Sequence, residues 1–161
     1  MKKIFLIGLI ALVAAACGNQ ETTTSAPTGP VSNAPDNTAT ENSNPSYDPN
    51  RGEGKFTEVK LEEKLNDAMV DGGSKIFAVK CSACHKLTDK KLVGPGWKGV
   101  TTRRKPVWIM NFITNTDAML NKDPQAQAQL EICLVRMPNQ SLSDDDARSL
   151  LEFMRKNDSE K

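Results

Sequence analysis

The residues best suited to chemistry in this 161-residue chain are two cysteines and a histidine that stand close together. Cys81 and Cys84 are separated by two residues, and His85 follows the second cysteine directly. This spacing is that of covalent haem attachment, in which the cysteines form thioethers with the two vinyl groups and the histidine reaches the iron. The sequence therefore predicts one covalently bound c-type haem held by Cys81, Cys84 and His85.

Two other sites can be built on a paired cysteine motif, and the rest of the chain argues against both. A thioredoxin-like redox pair belongs in a βαβ context, which this sequence does not show. A structural zinc site needs four protein ligands, but His85 is the only histidine and no second metal-binding pair follows. Haem is therefore favoured over zinc and over a redox dithiol.

The second axial position of the iron is best filled by a methionine. Because His85 is unique, this chain alone cannot supply a second histidine, which leaves methionine, lysine or an open position. The downstream candidates are Met110, Met119, Met137 and Met154. We favour Met137, since it precedes Pro138 in a loop that must cross back over the haem opposite His85. The alternative is that it is a core methionine, the usual fate of this residue type.

The elements that must position these residues are helices. From about residue 56 onward the apolar residues follow a helical period, and no period-2 alternation is long enough for a sheet, which predicts an all-α domain. The first helix should begin between Leu65 and Ser74 and run into Cys81. Three later helices are predicted to begin near Pro106, at Asp123-Pro124 and at Ser143, where Ser143 and Asp146 form a capping box.

The N-terminus has the pattern of an export signal. Lys2 and Lys3 precede an apolar run over residues 4–16, which is shorter than the roughly 20 residues needed to cross a bilayer. Cys17 follows three alanines in a bacterial lipobox pattern, although leucine is more usual at position 14. We predict a signal peptide over 1–16 and lipidation of Cys17, which would anchor the protein to a membrane of the periplasm or cell envelope.

The segment between the signal and the helices is predicted to be a disordered linker. Residues 18–54 are mostly Thr, Ser, Asn, Pro, Ala and Gly, with Tyr47 as the sole aromatic residue. Such a composition buries too little apolar surface to offset the entropy of ordering. The predicted division of the chain is therefore the signal at 1–16, the lipidated cysteine and linker at 17–55, and one domain at 56–161.

Over its last 95–100 residues the chain resembles the monohaem class I cytochrome c family. The resemblance is carried by Gly73-x-x-x-Phe77-x-x-x-Cys81, Gly94-Pro95, Met137-Pro138 and Leu150-x-x-Phe153. It implies a small fold in which the N- and C-terminal helices cross around one covalent haem, with Gly73 at the crossing. It also implies that the Pro95 carbonyl accepts the Nδ1–H of His85, and that Phe153 stands where the family often has Tyr or Trp. The region used for haem propionates holds Trp97, Arg103, Arg104 and Trp108.

Cys133 is left over once the lipid and the haem account for the other three cysteines. We predict that it is a buried small hydrophobe, since no intramolecular disulfide partner remains. A redox or ligand-switch role is the alternative.

Charge and coordination together indicate an electron carrier rather than an enzyme. His/Met ligation fills both axial positions, so electron transfer remains as the function of the haem. The net charge of +1 does not suggest nucleic-acid binding, but residues 75–105 hold nine basic residues against Asp89 alone. This basic segment predicts redox partners with acidic docking surfaces. We expect a monomer that shuttles electrons from a respiratory donor to a terminal oxidase or periplasmic reductase.

Two alternatives to the shuttle stay open at this point. The first is a haem-based ligand-binding or sensor protein with a displaceable sixth ligand. The second is a fixed haem subunit of a larger respiratory enzyme.

Overall fold

The computed structural model describes residues 47–160, and within them the chain is helical with no strand. The predicted signal peptide, Cys17 and most of the predicted linker lie outside the described residues. The helices are α1 (Asp67–Ile76), α2 (Val100–Arg103), α3 (Pro106–Thr114), α4 (Thr116–Lys122), α5 (Pro124–Cys133) and α6 (Asp144–Ser159). None of these helices is long and apolar enough to span a membrane. The predicted all-α fold is confirmed.

Helix α1 leads directly into the first cysteine of the paired motif. Asn66 caps its start by accepting a hydrogen bond from the Met69 amide at 3.1 Å. At its end the helix widens into one π-helical turn, Phe77–Cys81, where the Ser82 amide donates to the Phe77 carbonyl at 2.9 Å. The predicted run into Cys81 is confirmed, but its last turn is wider than an α-helix.

The N- and C-terminal helices cross at Gly73. A Cβ atom placed on this buried glycine would lie 2.7 Å from the Cβ of Phe153 and closer still to the Ser149 carbonyl oxygen of α6. The two backbones can approach this closely only because the glycine lacks a side chain. Helix α6 begins with the predicted capping box of Ser143 and Asp146, and its inner face buries Leu150, Leu151 and Met154.

Helices α3, α4 and α5 form the other half of the domain. Pro106 opens α3, and Asp123 caps α5 by accepting from the Ala126 amide at 2.7 Å, so both predicted helix starts are confirmed. Two helices were not predicted. Asn115 breaks the chain between α3 and α4 with φ −140° and ψ 49°, and the short α2 follows Gly99, whose φ is 77°.

A segment at residues 47–56, here called the strap, packs across α3, α4 and α5. Its backbone is held by Asn111, which is fully buried: the Oδ1 atom accepts from the Phe56 amide at 2.9 Å, and Nδ2 donates to the carbonyls of Arg51 at 2.9 Å and Phe56 at 3.0 Å. The structure therefore differs from the predicted linker boundary, because residues 47–55 belong to the packed domain. Buried amides, unlike apolar side chains, can hold a segment of this polar composition.

Asp123 ties the strap to the interior. This buried carboxylate accepts hydrogen bonds from the Tyr47 hydroxyl and from the indole Nε1 of Trp108, the latter at 2.9 Å. Burial and the nearby carboxylate raise the pKa of Tyr47 well above its ordinary value. Tyr47 therefore stays protonated and acts as a hydrogen-bond donor.

Candidate cofactor site

The two cysteines of the paired motif lie in a tight turn at the end of the π-helical turn. The amides of Cys84 and His85 both donate to the Cys81 carbonyl, at 3.0 and 2.9 Å. Cys81 is buried and Cys84 partly buried, and both thiols are free. Burial raises the pKa of the Cys81 thiol to about 11. The turn thus presents two free thiols and an imidazole from one short segment.

The imidazole of His85 is oriented by the segment that follows the motif. Its Nδ1 atom lies 2.8 Å from the carbonyl oxygen of Pro95. Since a carbonyl can only accept, Nδ1 carries the proton and Nε2 is left with a free lone pair. Burial lowers the pKa of His85, partly opposed by the Pro95 bond, which favours the neutral ring that metal ligation requires. The hydrogen bond implied by the resemblance is present, while its role in ligation stays a prediction.

Glycine is required beside this ring. A Cβ atom on Gly94 would lie within 2.8 Å of both ring nitrogens of His85. Any larger residue would displace the imidazole or the turn, since such approaches are far below van der Waals contact. Gly94 and Pro95 therefore act together: one makes room for the ring and the other holds it.

His85 and Cys84 line a cavity of about 170 Å³, and Met137 lines it as well. One water needs only about 10–15 Å³ of such volume, so this space suits a larger, mostly apolar group. The apolar side chains around it include Val100, Trp108, Ile109, Phe112, Ile113, Leu120 and Leu130. Cys133 also lines the cavity and is partly buried, so its predicted burial is incomplete.

Among the candidate methionines, Met137 and Met154 line the cavity, whereas Met110 and Met119 do not. The sulfur of Met119 is already occupied, because it accepts from the Glu53 amide of the strap at 2.9 Å, and its side chain is fully buried. Met154 is 3% exposed within the core face of α6. Met137 is half-buried in the loop that follows α5. The structure thus brings His85 and Met137 to one cavity.

The predicted propionate region lies where this cavity meets a second, polar pocket of about 130 Å³. Arg103, Arg104 and Trp108 line both. The indole N–H of Trp108 is taken by Asp123, and Arg104 stacks 4.8 Å above the Trp108 ring while donating to Gln125. Burial lowers the pKa of Arg104, but an arginine remains charged at neutral pH. The indole N–H of Trp108 is thus already used, whereas the guanidinium groups of Arg103 and Arg104 have N–H donors to spare. The two arginines are therefore better partners than Trp108 for an anionic propionate.

Aromatic rings connect His85 to the helix crossing. The centroid of Trp97 lies 5.8 Å from that of His85 and 4.7 Å from that of Phe77, which in turn lies 5.7 Å from Phe153. Such pairs add stability beyond the area they bury. The aromatic packing expected of Phe153 is confirmed, and the rings join the paired-cysteine segment to α1 and α6.

A family model and several solved structures relate this chain to cytochromes c. The family model described as Cytochrome c matches residues 70–158. A solved structure, the cytochrome c from Rhodothermus marinus, is 32% identical with a TM-score of 0.65, over 67% of this chain and 92% of that one. An engineered form of that protein is 32% identical with a TM-score of 0.62, over 65% of this chain and 90% of its own.

A third similar structure is the same engineered protein bound to a carbene intermediate, with 32% identity and a TM-score of 0.59, over 65% of this chain and 90% of that one. No curated protein sequence matches the chain.

Proposed function

The chain belongs to the cytochrome c family, and from this premise we propose that it is an electron carrier of the cell envelope with His85 and Met137 as axial ligands. The family membership gives the cofactor, one covalent haem c, and its general function, haem-based electron transfer. The observation that carries the finer proposal is the shared cavity, which places a neutral imidazole and a methionine in the lining of one apolar space.

The residues around the cavity fit a covalent haem. Cys81 and Cys84 would each supply a thioether, and His85 would supply Nε2 while Pro95 holds the opposite ring nitrogen at 2.8 Å. When bound, the haem supplies an iron that cycles between the ferrous and ferric states. The surrounding apolar side chains exclude water, and the Pro95 bond keeps the ring in one tautomer and raises its basicity.

Met137 is a better axial ligand than Met154, although both line the cavity. Met154 is packed into the core on α6, where the usual role of methionine is to fill space. Met137 lies in a loop without helix or strand, and its side chain retains partial exposure at the cavity wall. A loop can bring sulfur to the iron at an adjusted distance, whereas a core helix cannot move without repacking.

A basic and partly apolar surface near the cavity supports docking of acidic redox partners. Val93 and Val135 line the cavity and are 37% and 55% exposed, and Leu134 beside them is 84% exposed. The exposed basic residues of the attachment region are Lys75, Lys80, Lys86, Lys90, Lys91, Lys98, Arg103 and Lys105. An exposed segment with such an excess of basic residues favours fast, salt-dependent association with a partner of opposite charge.

The setting we propose is the periplasm or cell envelope. The export pattern at residues 1–16 and the lipobox ending at Cys17 support a membrane-anchored lipoprotein. In that setting the carrier would act as a monomer between a respiratory donor and a terminal oxidase or periplasmic reductase.

One observation favours a second function, the binding of an external ligand at the iron. The engineered relative is described with a carbene intermediate bound. If Met137 leaves the iron of this chain readily, a sixth position would open for a small ligand, as a sensor requires.

The two functions are separated by optical spectra of the ferric protein. We expect the wild type to show the weak deep-red band of iron–methionine ligation, Met137→Ala to lose it, and Met154→Leu to keep it as the matched control. A wild type without this band would refute the proposed His/Met carrier. Rapid carbon monoxide binding to the reduced wild type would favour the ligand-binding function.

A further inference from the structure

The loop that carries Met137 is attached at both ends to the haem-attachment segment by lysine side chains. This loop is defined here as residues 134–142. Just before it, the Nζ atom of Lys91 donates to the Ile132 carbonyl at 2.9 Å. Near its far end, Nζ of Lys80 donates to the Gln140 carbonyl at 3.0 Å. Two ammonium groups therefore join the haem-attachment segment to the ends of the loop, and both the segment and the loop contribute residues to the lining of the cavity.

Each contact is favourable for a physical reason. Ile132 lies in the last turn of α5, where carbonyls have no partner within the helix and carry the negative end of its dipole. A lysine there satisfies an otherwise free acceptor and interacts with the dipole. The Gln140 carbonyl belongs to an irregular segment, where it has no ladder partner. A hydrogen bond from a charged donor is stronger than one between neutral groups.

The loop depends on outside contacts because its own backbone is unfavourable. Leu134, which ends α5, has φ 61°, and Ser141 near the far end has φ 50°. Residues other than glycine adopt this left-handed region only at a cost, so the surroundings must impose it. Leu134 is also 84% exposed and gains little from burial. Within residues 47–160, Arg136 is the only side chain of the loop with a hydrogen bond to a residue outside it, reaching Asp117 and Asn121 on α4. Met137 and Leu142 add apolar contacts with the core.

We propose that Lys80 and Lys91 are positioning residues that hold Met137 at the haem iron by clamping both ends of its loop. The inference rests on the proposed His/Met ligation. Lys80 directly precedes Cys81, and Lys91 lies between His85 and Pro95. The segment that would hold the haem covalently is therefore also bonded to both ends of the loop that carries Met137. Neither lysine touches the iron, and both act through the backbone of the loop.

The test is the rate at which imidazole binds the ferric protein, since imidazole enters only when the methionine sulfur leaves. Because both lysines are exposed, we expect Lys80→Gln and Lys91→Gln each to accelerate binding by about two- to fivefold. The double variant should be faster than either, by about four- to twenty-five-fold over the wild type if the two effects are independent. In each variant the deep-red band should disappear at a lower temperature than in the wild type.

Lys86→Gln and Lys90→Gln are the matched controls. Both lysines are exposed in the same basic segment, and within residues 47–160 neither side chain has a hydrogen-bond partner. They remove the same charge without removing a clamp, so their binding rates should stay within about twofold of the wild type. Lys91→Arg, which keeps a charged donor, should restore most of the wild-type rate.

The outcomes separate the clamp from the proposed function. If the wild type shows the deep-red band but the Lys80 and Lys91 variants match the controls, the clamp is refuted and His/Met ligation stands. If the wild type lacks the band and binds imidazole at once, the ligation itself has failed and the clamp falls with it. Faster binding in the clamp variants alone, reversed by arginine, supports the proposal.

Discussion

Adjacent glycines in α1 give opposite predictions for the same substitution. At Gly73 an added Cβ would lie 2.7 Å from Phe153 Cβ, and ordinary contact begins near 3.5 Å, so α1 and α6 must separate by about 1 Å. Overpacking of this kind costs about 1–3 kcal/mol or more, against a gain of about 1 kcal/mol in helix propensity. Because the nearest atom is a backbone oxygen that cannot rotate away, we place Gly73→Ala at about 2 kcal/mol of net destabilisation.

Gly72→Ala is the matched control. Its Cβ would meet only the Cβ and Oγ of Ser149, both at 3.7 Å, which is ordinary contact. Because no clash opposes it, the higher helix propensity of alanine over glycine decides the outcome. We expect Gly72→Ala to raise the free energy of unfolding by about 0.5–1 kcal/mol.

The measurement is guanidinium or thermal unfolding of the haem-loaded variants, followed by circular dichroism. A difference of about 3 kcal/mol between the two corresponds to about 12–24 °C in Tm for a domain near 100 residues. If Gly73→Ala is as stable as the wild type, or if both variants shift in the same direction by similar amounts, the tight-crossing argument is wrong.

Two further predictions concern charge. Glu152 is fully buried and forms ion pairs with Arg148 and Arg155. Burial alone would raise the pKa of its carboxyl group. The hydrogen bonds that it accepts from Arg148, the Asn66 amide and Arg155 have the larger effect, and they hold this pKa below its ordinary value of 4.5. Since its pKa is depressed in the folded state, the stabilisation is present above pH 4.5 and is lost as the pH falls through the folded value. Glu152→Gln should therefore lower the free energy of unfolding by about 1–3 kcal/mol at pH 7 and by much less at pH 3, measured by denaturant titration; an equal loss at both pH values would contradict this. For the basic docking surface, oxidation of the ferrous protein by an anionic iron complex should slow about threefold or more between 10 and 200 mM salt, while oxidation by a cationic complex should not slow; equal salt responses would argue against it.

The features that could be predicted from sequence depend on residues close together in the chain. The Ser143 capping box and the Asp123 cap each join a side chain to an amide three positions ahead. The Cys81–His85 motif likewise has its chemistry set by spacing alone. These features depend only on residues within a few positions of one another. They can therefore be recognised in the sequence without knowledge of the tertiary structure.

The strap could not be predicted because its partners are far away in sequence. Tyr47 meets Asp123 across 76 positions, and Phe56 meets Asn111 across 55. The composition of the strap taken alone indicates disorder. The segment is ordered because the buried side chains of Asn111 and Asp123, which are far away in sequence, hydrogen-bond to it. One signal was available: Asn111 interrupts the apolar run from Trp108 to Ile113, and a polar residue in such a run must find partners.

The break between α3 and α4 differs from the strap, because a local signal for it is present in the sequence. Thr114, Asn115 and Thr116 stand together, and asparagine is typical both of the residue that ends a helix and of the residue that caps the next one. In the structure Asn115 does both, since it ends α3 and precedes α4. With no glycine or proline beside it, this signal is weaker than those at Pro106 and at Asp123-Pro124, and it was overlooked.

The position of the strap also determines how the protein would respond to mechanical load. A pulling force applied through the chain ahead of Tyr47 reaches the strap before it reaches α1 or the cysteine turn. The strap is held by separate hydrogen bonds to Asp123, Asn111 and Asn115, which would rupture one after another and lengthen the chain under tension. Tension on the N-terminal end would thus be released first in extension of the strap, none of whose residues lines the cofactor cavity. The strain would reach the cavity only through Asp123, which holds both Tyr47 and the cavity residue Trp108.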